Sequence, residues 1–331
     1  YLALSYVWGG DQAHKTTTSN LSAYEHGIPP SLLPATIRDA IRLTHLLGFC
    51  ALWVDSLCIV QDSDEDKHHE IRRMHDVYRY AHLTIVAASA ERANAGFLYK
   101  RPPQDGDFAI PFICPPHPPL YHTVLGRMAT RSWCMQEYLL SPRSLIVTPR
   151  TVLFRCRVTM EAVGNSPEGI NSDPRLPDAL FLAVPPAVQP RSKEWRDIHA
   201  AWLRIIQNYS TRTASDETDK LVACAAIAEL FHRALRSDYL AGLWRTDALL
   251  IDLLWTPWGN KRRVCALPTA YRSPSWSWAA VEGPIMHLSW ITLEDPRNIA
   301  LAEITQCWVT LEDPALPFGR VTDGTLVLHG M

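Results

Sequence analysis

Long apolar runs are missing from this sequence. Its longest, such as Ala51 to Val54 and Leu221 to Ala228, are far short of the ~20 residues a membrane-spanning helix needs. No secretory signal opens the chain. It starts at Tyr1, already inside an apolar, strand-like run, which reads as the start of a fragment. Charge of one sign is missing as well. The 32 Lys and Arg residues against 34 Asp and Glu residues leave a net charge of −2, which gives no reason to expect nucleic acid or an anionic membrane as partner. Gly9-Gly10 is not followed by Lys-Ser/Thr, so no P-loop is present, and no G-x-G-x-x-G or G-x-S-x-G occurs. There are eight cysteines but no C-x-x-C pair. Most lie in apolar segments, which reads as buried free thiols of a reducing, cytoplasmic setting.

What is present is a globular composition. Hydrophobic residues make up 47% and charged residues 20% of 331 residues, enough for one large domain or two ordinary ones. Leu2 to Val7 reads as a strand closed by Gly9-Gly10. Pro34 suits the first turn of a helix, and Ile37, Ala40, Ile41, Thr44 and Leu47 share one helical face. Cys50 to Leu57 is a nearly continuous apolar run broken by Asp55, the pattern of a buried parallel strand. Glu70 to Ala81 reads as a helix, Leu83 to Ala88 as a third strand, and Ser144 to Thr148 and Val152 to Cys156 as further strands. The alternation predicts an α/β fold with an open, mostly parallel sheet from Leu2–Val7, Ala51–Leu57, Leu83–Ala88 and Ser144–Thr148. Residues 91 to 130, rich in proline, read as a long irregular insertion before a short helix at Arg131 to Leu140.

Asn165 to Pro190 is again proline-rich. A boundary there divides the chain into residues 1–165 and 166–331. The second part reads as mainly helical, with helices at Glu194 to Tyr209, Asp216 to Arg236 and Trp244 to Trp255, and short strands from Ser275 onward.

Several tempting motifs fail on chemistry. Asp62, Asp64 and Asp66 open like a calcium loop, but Lys67 stands where the sharp turn needs Gly and Arg73 where Glu should ligate. These carboxylates suit a helix N-terminus. His68, His75 and His82 are too far apart along a helix for one zinc ion, and Cys114, His117 and His122 lack a second cysteine pair. No metal site is expected. Two features remain. Asp55 falls near the C-terminal end of the second strand and Ser5 to Gly10 at the same rim of the first, where open parallel sheets bind ligands. Trp133 and Glu137, four apart, share a helix face.

Leu4-Ser5-Tyr6-Val7-Trp8-Gly9, Leu33-Pro34-Ala35-Thr36-Ile37-Arg38-Asp39-Ala40, Leu52 to Asp62, Met74 to Tyr78 with Ala81, Thr84-Ile85, Gly96-Phe97 and Trp133 to Glu137 together resemble the fungal heterokaryon incompatibility (HET) domain over roughly residues 1 to 157. Later pieces, Tyr239 to Trp244 and Pro274-Ser275-Trp276-Ser277-Trp278 among them, resemble the region that often follows it. HET domains trigger programmed cell death when incompatible fungal cells fuse, and are distantly similar to TIR domains. Ser132 to Glu137 resembles the Ser-x-Trp-Cys-Leu-x-Glu of plant TIR domains, and Leu4-Ser5-Tyr6 their first-strand Leu-Ser-Phe.

That resemblance implies a TIR-like (flavodoxin-like) sheet and NAD cleavage at the nicotinamide–ribose bond. Glu137 would be the catalytic carboxylate, and Ser5, Tyr6, Trp8, Gly9, Asp55, Ser56 and Trp133 would line the substrate site. NAD or a related nucleotide would be substrate, with no further cofactor. The resemblance also implies self-association on activation and incompatibility or receptor proteins as partners. The alternative is a non-catalytic interaction or nucleotide-sensing module in the same pathway.

Overall fold

A computed structural model describes residues 1–99, 124–149, 151–163, 174–185, 188–258, 267–288 and 300–330. The chain divides into two compact units, Tyr1–Ala129 with Glu137–Arg175 and Thr130–Gln136 with Leu176–Met331.

The first unit is mixed α/β around a six-stranded sheet of order β2-β1-β3-β4-β5-β6. β1 is Leu2–Ser5, β2 Leu52–Trp53, β3 Leu83–Val86, β4 Arg143–Val147, β5 Val152–Cys156 and β6 Met160–Ala162. The pairings among β2, β1, β3 and β4 are parallel, and β5 and β6 are added antiparallel. Every residue of β1 and of β3 is buried, as strands covered on both faces must be.

The helices of this unit are α1 (Leu21–His26), α2 (Ala35–Leu46), α3 (Asp55–Cys58), α4 (Asp64–Tyr80) and, from Glu137 onward, α5 (Ser132–Leu140). α2 buries Thr36, Ile37, Ala40 and Thr44, spaced to form one stripe. Leu2, Leu4 and Tyr6 join Ile37 and Ala40 in the main apolar cluster, with Trp8 packed against it. α4 begins six residues earlier than the apolar spacing predicts. The Ser63 hydroxyl accepts the Asp66 N–H, and Asp64, Glu65 and Asp66 occupy the first turn, where the helix dipole favours them.

β2 is the strand that departs most from expectation. It stops at Trp53 because Asp55 opens the one-turn helix α3. The Val54 carbonyl accepts from the N–H groups of Leu57 and Cys58 at 3.0 and 2.8 Å, and Asp55 Oδ1 accepts from its neighbour Ser56. Of the proline-rich insertion, residues 100–123 lie outside the described residues.

The second unit is built on α6 (Lys193–Ser210) and α7 (Ala225–Leu235). The stretch 216–236 is not one helix. Two short 3-10 turns, Glu217–Lys220 and Val222–Cys224, precede α7. The Lys220 carbonyl accepts the Tyr209 hydroxyl at 2.6 Å, which draws it out of a continuing helical ladder. Trp244 to Trp255 is likewise not a helix. It contains the end of a small hairpin, β7 (Tyr239–Leu240) with β8 (Leu243–Trp244), and the single turn α8 (Leu249–Asp252). β9 (Thr256–Pro257) pairs with β10 (Ile285–Met286). The tail is longer than expected, a ribbon of two ten-residue strands, β11 (Ala302–Leu311) and β12 (Val321–Gly330).

The tryptophan-rich motifs have a packing explanation here. Trp202, Trp244 and Trp278 are fully buried, and the indoles of Trp202 and Trp278 both donate to the Gly242 carbonyl. Gly242 sits at φ 103°, and a Cβ there would meet the Trp278 ring at 2.4 Å. Glycine is therefore required by backbone and neighbour alike. Among the described residues no helix is long and apolar enough to cross a membrane.

Candidate functional site

The C-terminal end of β1 carries two separate polar clusters. Consecutive residues of an extended chain point to opposite sides, and Ser5 and Tyr6 find different partners. The buried Ser5 hydroxyl donates to the Glu137 carboxylate in α5. Tyr6 instead shares its hydroxyl with Ser56 Oγ at 2.9 Å and accepts from Gln12 Nε2 at 2.9 Å.

Glu137 is held by packing at the C-terminal end of α5. Ser141 Oγ donates to the Glu137 carbonyl at 2.6 Å and pairs with Thr84 Oγ1 of β3 at 2.7 Å. The buried Arg155 of β5 donates to the carbonyls of Tyr138 and Ser141 and lies over the Tyr138 ring at 4.2 Å. A cation on the last carbonyls of a helix satisfies both hydrogen bonding and dipole. Glu137 is 6% exposed and Ser5 1%, so this carboxylate is nearly sealed.

The second cluster surrounds Asp55. Trp8 Nε1 donates to Asp55 Oδ2 at 2.8 Å. The Tyr6 hydroxyl is pushed well above its usual pKa of 10, chiefly by burial and then by the Asp55 charge, against the hydrogen bonds from Ser56 and Gln12. Thr16 closes the loop by donating through its N–H to the Ser56 carbonyl and through Oγ1 to the Leu57 carbonyl. Gln61 Nε2 donates to the Asp55 carbonyl. Gln12 and Thr16 are not singled out by sequence, because a polar loop of Thr, Ser and Gln carries no spacing signal.

Gly9 lies beside this cluster at φ 75°, where a Cβ would fall 2.2 Å from Arg92 Cβ. Trp133 joins neither cluster. It belongs to the second unit, where its Nε1 donates to Asp219 Oδ2 at 3.3 Å, an oxygen pair also engaged by Arg320. The loop after β3 is fixed by α2. Asp39 Oδ2 accepts the N–H groups of Phe97 and Leu98 at 2.7 and 2.9 Å, and Thr36 Oγ1 accepts that of Gly96 at 3.1 Å. The Leu33–Ala40 and Gly96-Phe97 blocks are thus halves of one structural device.

Asp62 and Asp66 likewise spend their carboxylates on the chain. Asp62 accepts from Thr18 N–H and Oγ1, and Asp66 from Val60 N–H. Among the described residues no group of three or more His, Cys, Asp or Glu could hold a metal ion.

Residues 1–137 match the family model described as heterokaryon incompatibility protein (HET). Over that stretch the chain is similar to the HET family. A curated relative, "Heterokaryon incompatibility protein 6, OR allele" of Neurospora crassa, is 32% identical over 93 residues, covering 26% of this chain and 14% of that protein. The similarity therefore reaches a small part of the relative's length. No solved structure matches. The sheet of the first unit continues past the matched HET residues through β4, β5 and β6.

Proposed function

We propose that this HET domain is an effector of fungal incompatibility and cell death, acting in the cytoplasm by cleaving NAD at the nicotinamide–ribose bond. The observation that carries the reading is the buried carboxylate of Glu137 bonded to Ser5 at the C-terminal end of β1. That is the rim at which open parallel sheets take ligands. The parallel strand order β2-β1-β3-β4 supports a TIR-like, flavodoxin-like ancestry, because the same order defines that class of sheet. The relative's printed role in incompatibility supports the biological setting.

The chemistry asks little of the protein. Breaking the C1′–N bond sends its electron pair to the pyridinium, which leaves as neutral nicotinamide, so no general acid is needed. Water then adds at C1′ to give ADP-ribose and a proton. The oxocarbenium-like transition state gains positive charge, and a fixed carboxylate such as Glu137 stabilises it and orients ribose hydroxyls. Tyr6, Trp8, Gly9, Asp55 and Ser56 would shape the neighbouring wall. Trp133, tied to Asp219, supports α5 rather than the substrate.

Burial of Ser5 and Glu137 also favours a second reading, a non-catalytic interaction or nucleotide-sensing module. On the catalytic reading Ser5 must yield Glu137 to substrate, and self-association supplies that opening. The test is nicotinamide release from NAD by the purified chain, dilute and then concentrated or fused to a forced oligomer. Glu137→Gln should cut turnover by roughly a hundredfold to a thousandfold with the melt retained. Turnover unchanged in a folded Glu137→Gln variant removes the glutamate from the mechanism. No release from any assembled form, with NAD or ADP-ribose binding measured by calorimetry, supports the sensor. Absence of both supports the interaction module.

A further inference from the structure

The second unit contains a cavity of about 520 Å³, within the size range of small-molecule sites. Its wall comes from α6, the end of α7, residues 237–252 and residues 287–288. Much of that wall is apolar, with Trp195, Leu203, Leu235, Ile251 and Leu288 contributing.

Two histidines supply the hydrogen-bonding groups left open in it. His287 follows β10, is 4% exposed, lines the cavity, and neither ring nitrogen has a partner among the described residues. Burial lowers its pKa from 6.5 to about 4, with Asp252 favouring protonation and His199 opposing it. A neutral imidazole offers one N–H donor and one acceptor nitrogen. His199 donates through Nε2 to Asp252 Oδ2 at 2.8 Å, and its ring stacks on Trp195 at 4.8 Å. That bond leaves His199 Nδ1 as an acceptor. Buried groups of this kind are nearly always paired, so the pair asks for a molecule with at least one acceptor and two N–H or O–H donors.

The charged groups of the wall make no such demand. Arg191 pairs with Asp247 at 2.9 Å and Arg245 with Asp238 at 3.5 Å. Asp252 is held by His199, Arg196 has a partner of its own, and Arg236 is exposed to water. An ionic ligand would have to break an existing pair to gain a counter-charge, and burying a charge without one is costly.

Three classes of uncharged ligand can be weighed against this wall. A polyol brings more hydroxyls than two imidazoles can serve, and the remainder would be buried against leucine and isoleucine. A hydrocarbon suits the walls but leaves His287 unpaired. A nitrogen heterocycle meets both demands, because its faces are apolar and its edge carries N–H groups beside acceptor atoms. We infer that this cavity binds an uncharged nitrogen heterocycle of the nucleobase class, its ring between the apolar walls and its edge on His287 and His199. The site lies wholly within the second unit, and its occupancy does not depend on NAD cleavage.

Calorimetry on the full chain with adenine and cytosine tests it, with ribose and indole as comparison arms. Indole keeps the ring but has one donor and no acceptor. Saturable binding of at least one base is expected, about tenfold or more tighter than indole, with none for ribose. Ala200 lines the cavity from α6 and is only partly buried. Ala200→Leu keeps a good helix former while filling the space, so it should abolish binding with the melt retained, whereas Glu137→Gln leaves binding unchanged. Because a substitution at the buried His287 is prone to misfold, its imidazole is read in the parent protein, where the ring nitrogen resonances should shift on addition of the base that binds. No saturable binding of either base overturns the inference. So does binding that survives Ala200→Leu in a folded variant, or that leaves the His287 resonances in place. Equal affinity for indole or ribose overturns the assignment of the ligand class.

Discussion

Gly9→Ala places one methyl group where the structure has no room for it. The new Cβ would stand 2.2 Å from Arg92 Cβ and 2.9 Å from Arg92 Cα, at a φ of +75°. Two costs add. Holding an L-residue in the left-handed region costs about 1–2 kcal/mol. Overpacking against backbone, which cannot swing away as a side-chain tip can, costs about 1–3 kcal/mol. The segments are also joined by the Ala93 N–H donating to the Trp8 carbonyl at 3.1 Å, so a shift that relieves the clash stretches that bond. A loss of about 2–5 kcal/mol in a unit of this size lowers its melting temperature by about 5–15 °C. Scanning calorimetry on the full chain reads it. Gly10→Ala is the control, because its φ of +143° is strained too but its Cβ meets nothing within 4 Å. It should lose only the backbone part. Arg92→Gly removes the opposing Cβ, so the Gly9→Ala, Arg92→Gly double variant should regain at least about 1 kcal/mol. If Gly9→Ala melts like its parent, or if Arg92→Gly gives no rescue, the contact argument is wrong.

Tyr6→Phe removes the hydroxyl that serves Gln12 and Ser56. Leaving those groups short of a partner in the interior should cost about 1–3 kcal/mol, read as a lower urea midpoint with an unchanged slope. Tyr6, Tyr209 and Tyr239 all ionise well above 10, mainly because of burial. Their contribution to stability is therefore complete below pH 10 and lost above it, and their phenolate absorbance should appear together with unfolding rather than before it. At the acid end His287, lowered from 6.5 to about 4, is protonated first in the unfolded chain. Stability should be full above pH 6.5 and fall by about 3 kcal/mol towards pH 4, and His287→Phe, where it folds, should flatten that limb of a pH series of denaturant melts.

The sheet is largely legible from period and composition, because Leu2 to Ser5 and Leu83 to Val86 are continuous apolar runs that only a doubly covered strand tolerates. The second strand is misread in length for a reason of local chemistry. Asp55-Ser56 is both a strand-end pair and a helix start, and the hydrogen bonds to the Val54 carbonyl decide for the helix. The meeting of Ser5 with Glu137 follows from a strand end and a helix that the residue blocks already order along the chain. The fate of Trp133 does not. Its spacing to Glu137 shows a shared helix, but its partner Asp219 is a long-range choice that no local pattern records. Helix spacing fails across 216–236 for a similar reason, since the Tyr209 hydroxyl that claims the Lys220 carbonyl comes from another helix.

The strand order sets a timetable for synthesis. β1 leaves the ribosome before its partners, for its neighbours in the sheet are β2 and β3, encoded some 50 and 80 positions later. Each parallel pairing must close a long loop before it gains a single contact. Ser5 has no Glu137 to bond until a further stretch of chain has emerged, and β3 keeps one open edge until β4 arrives to cover it. The β4–β5–β6 meander, in contrast, is local in sequence and can assemble as soon as it is made. A nascent chain halted anywhere before residue 137 holds unpaired strand edges and no assembled carboxylate–serine pair. Translation of the N-terminal portion alone therefore yields a sticky polypeptide rather than a small version of the domain.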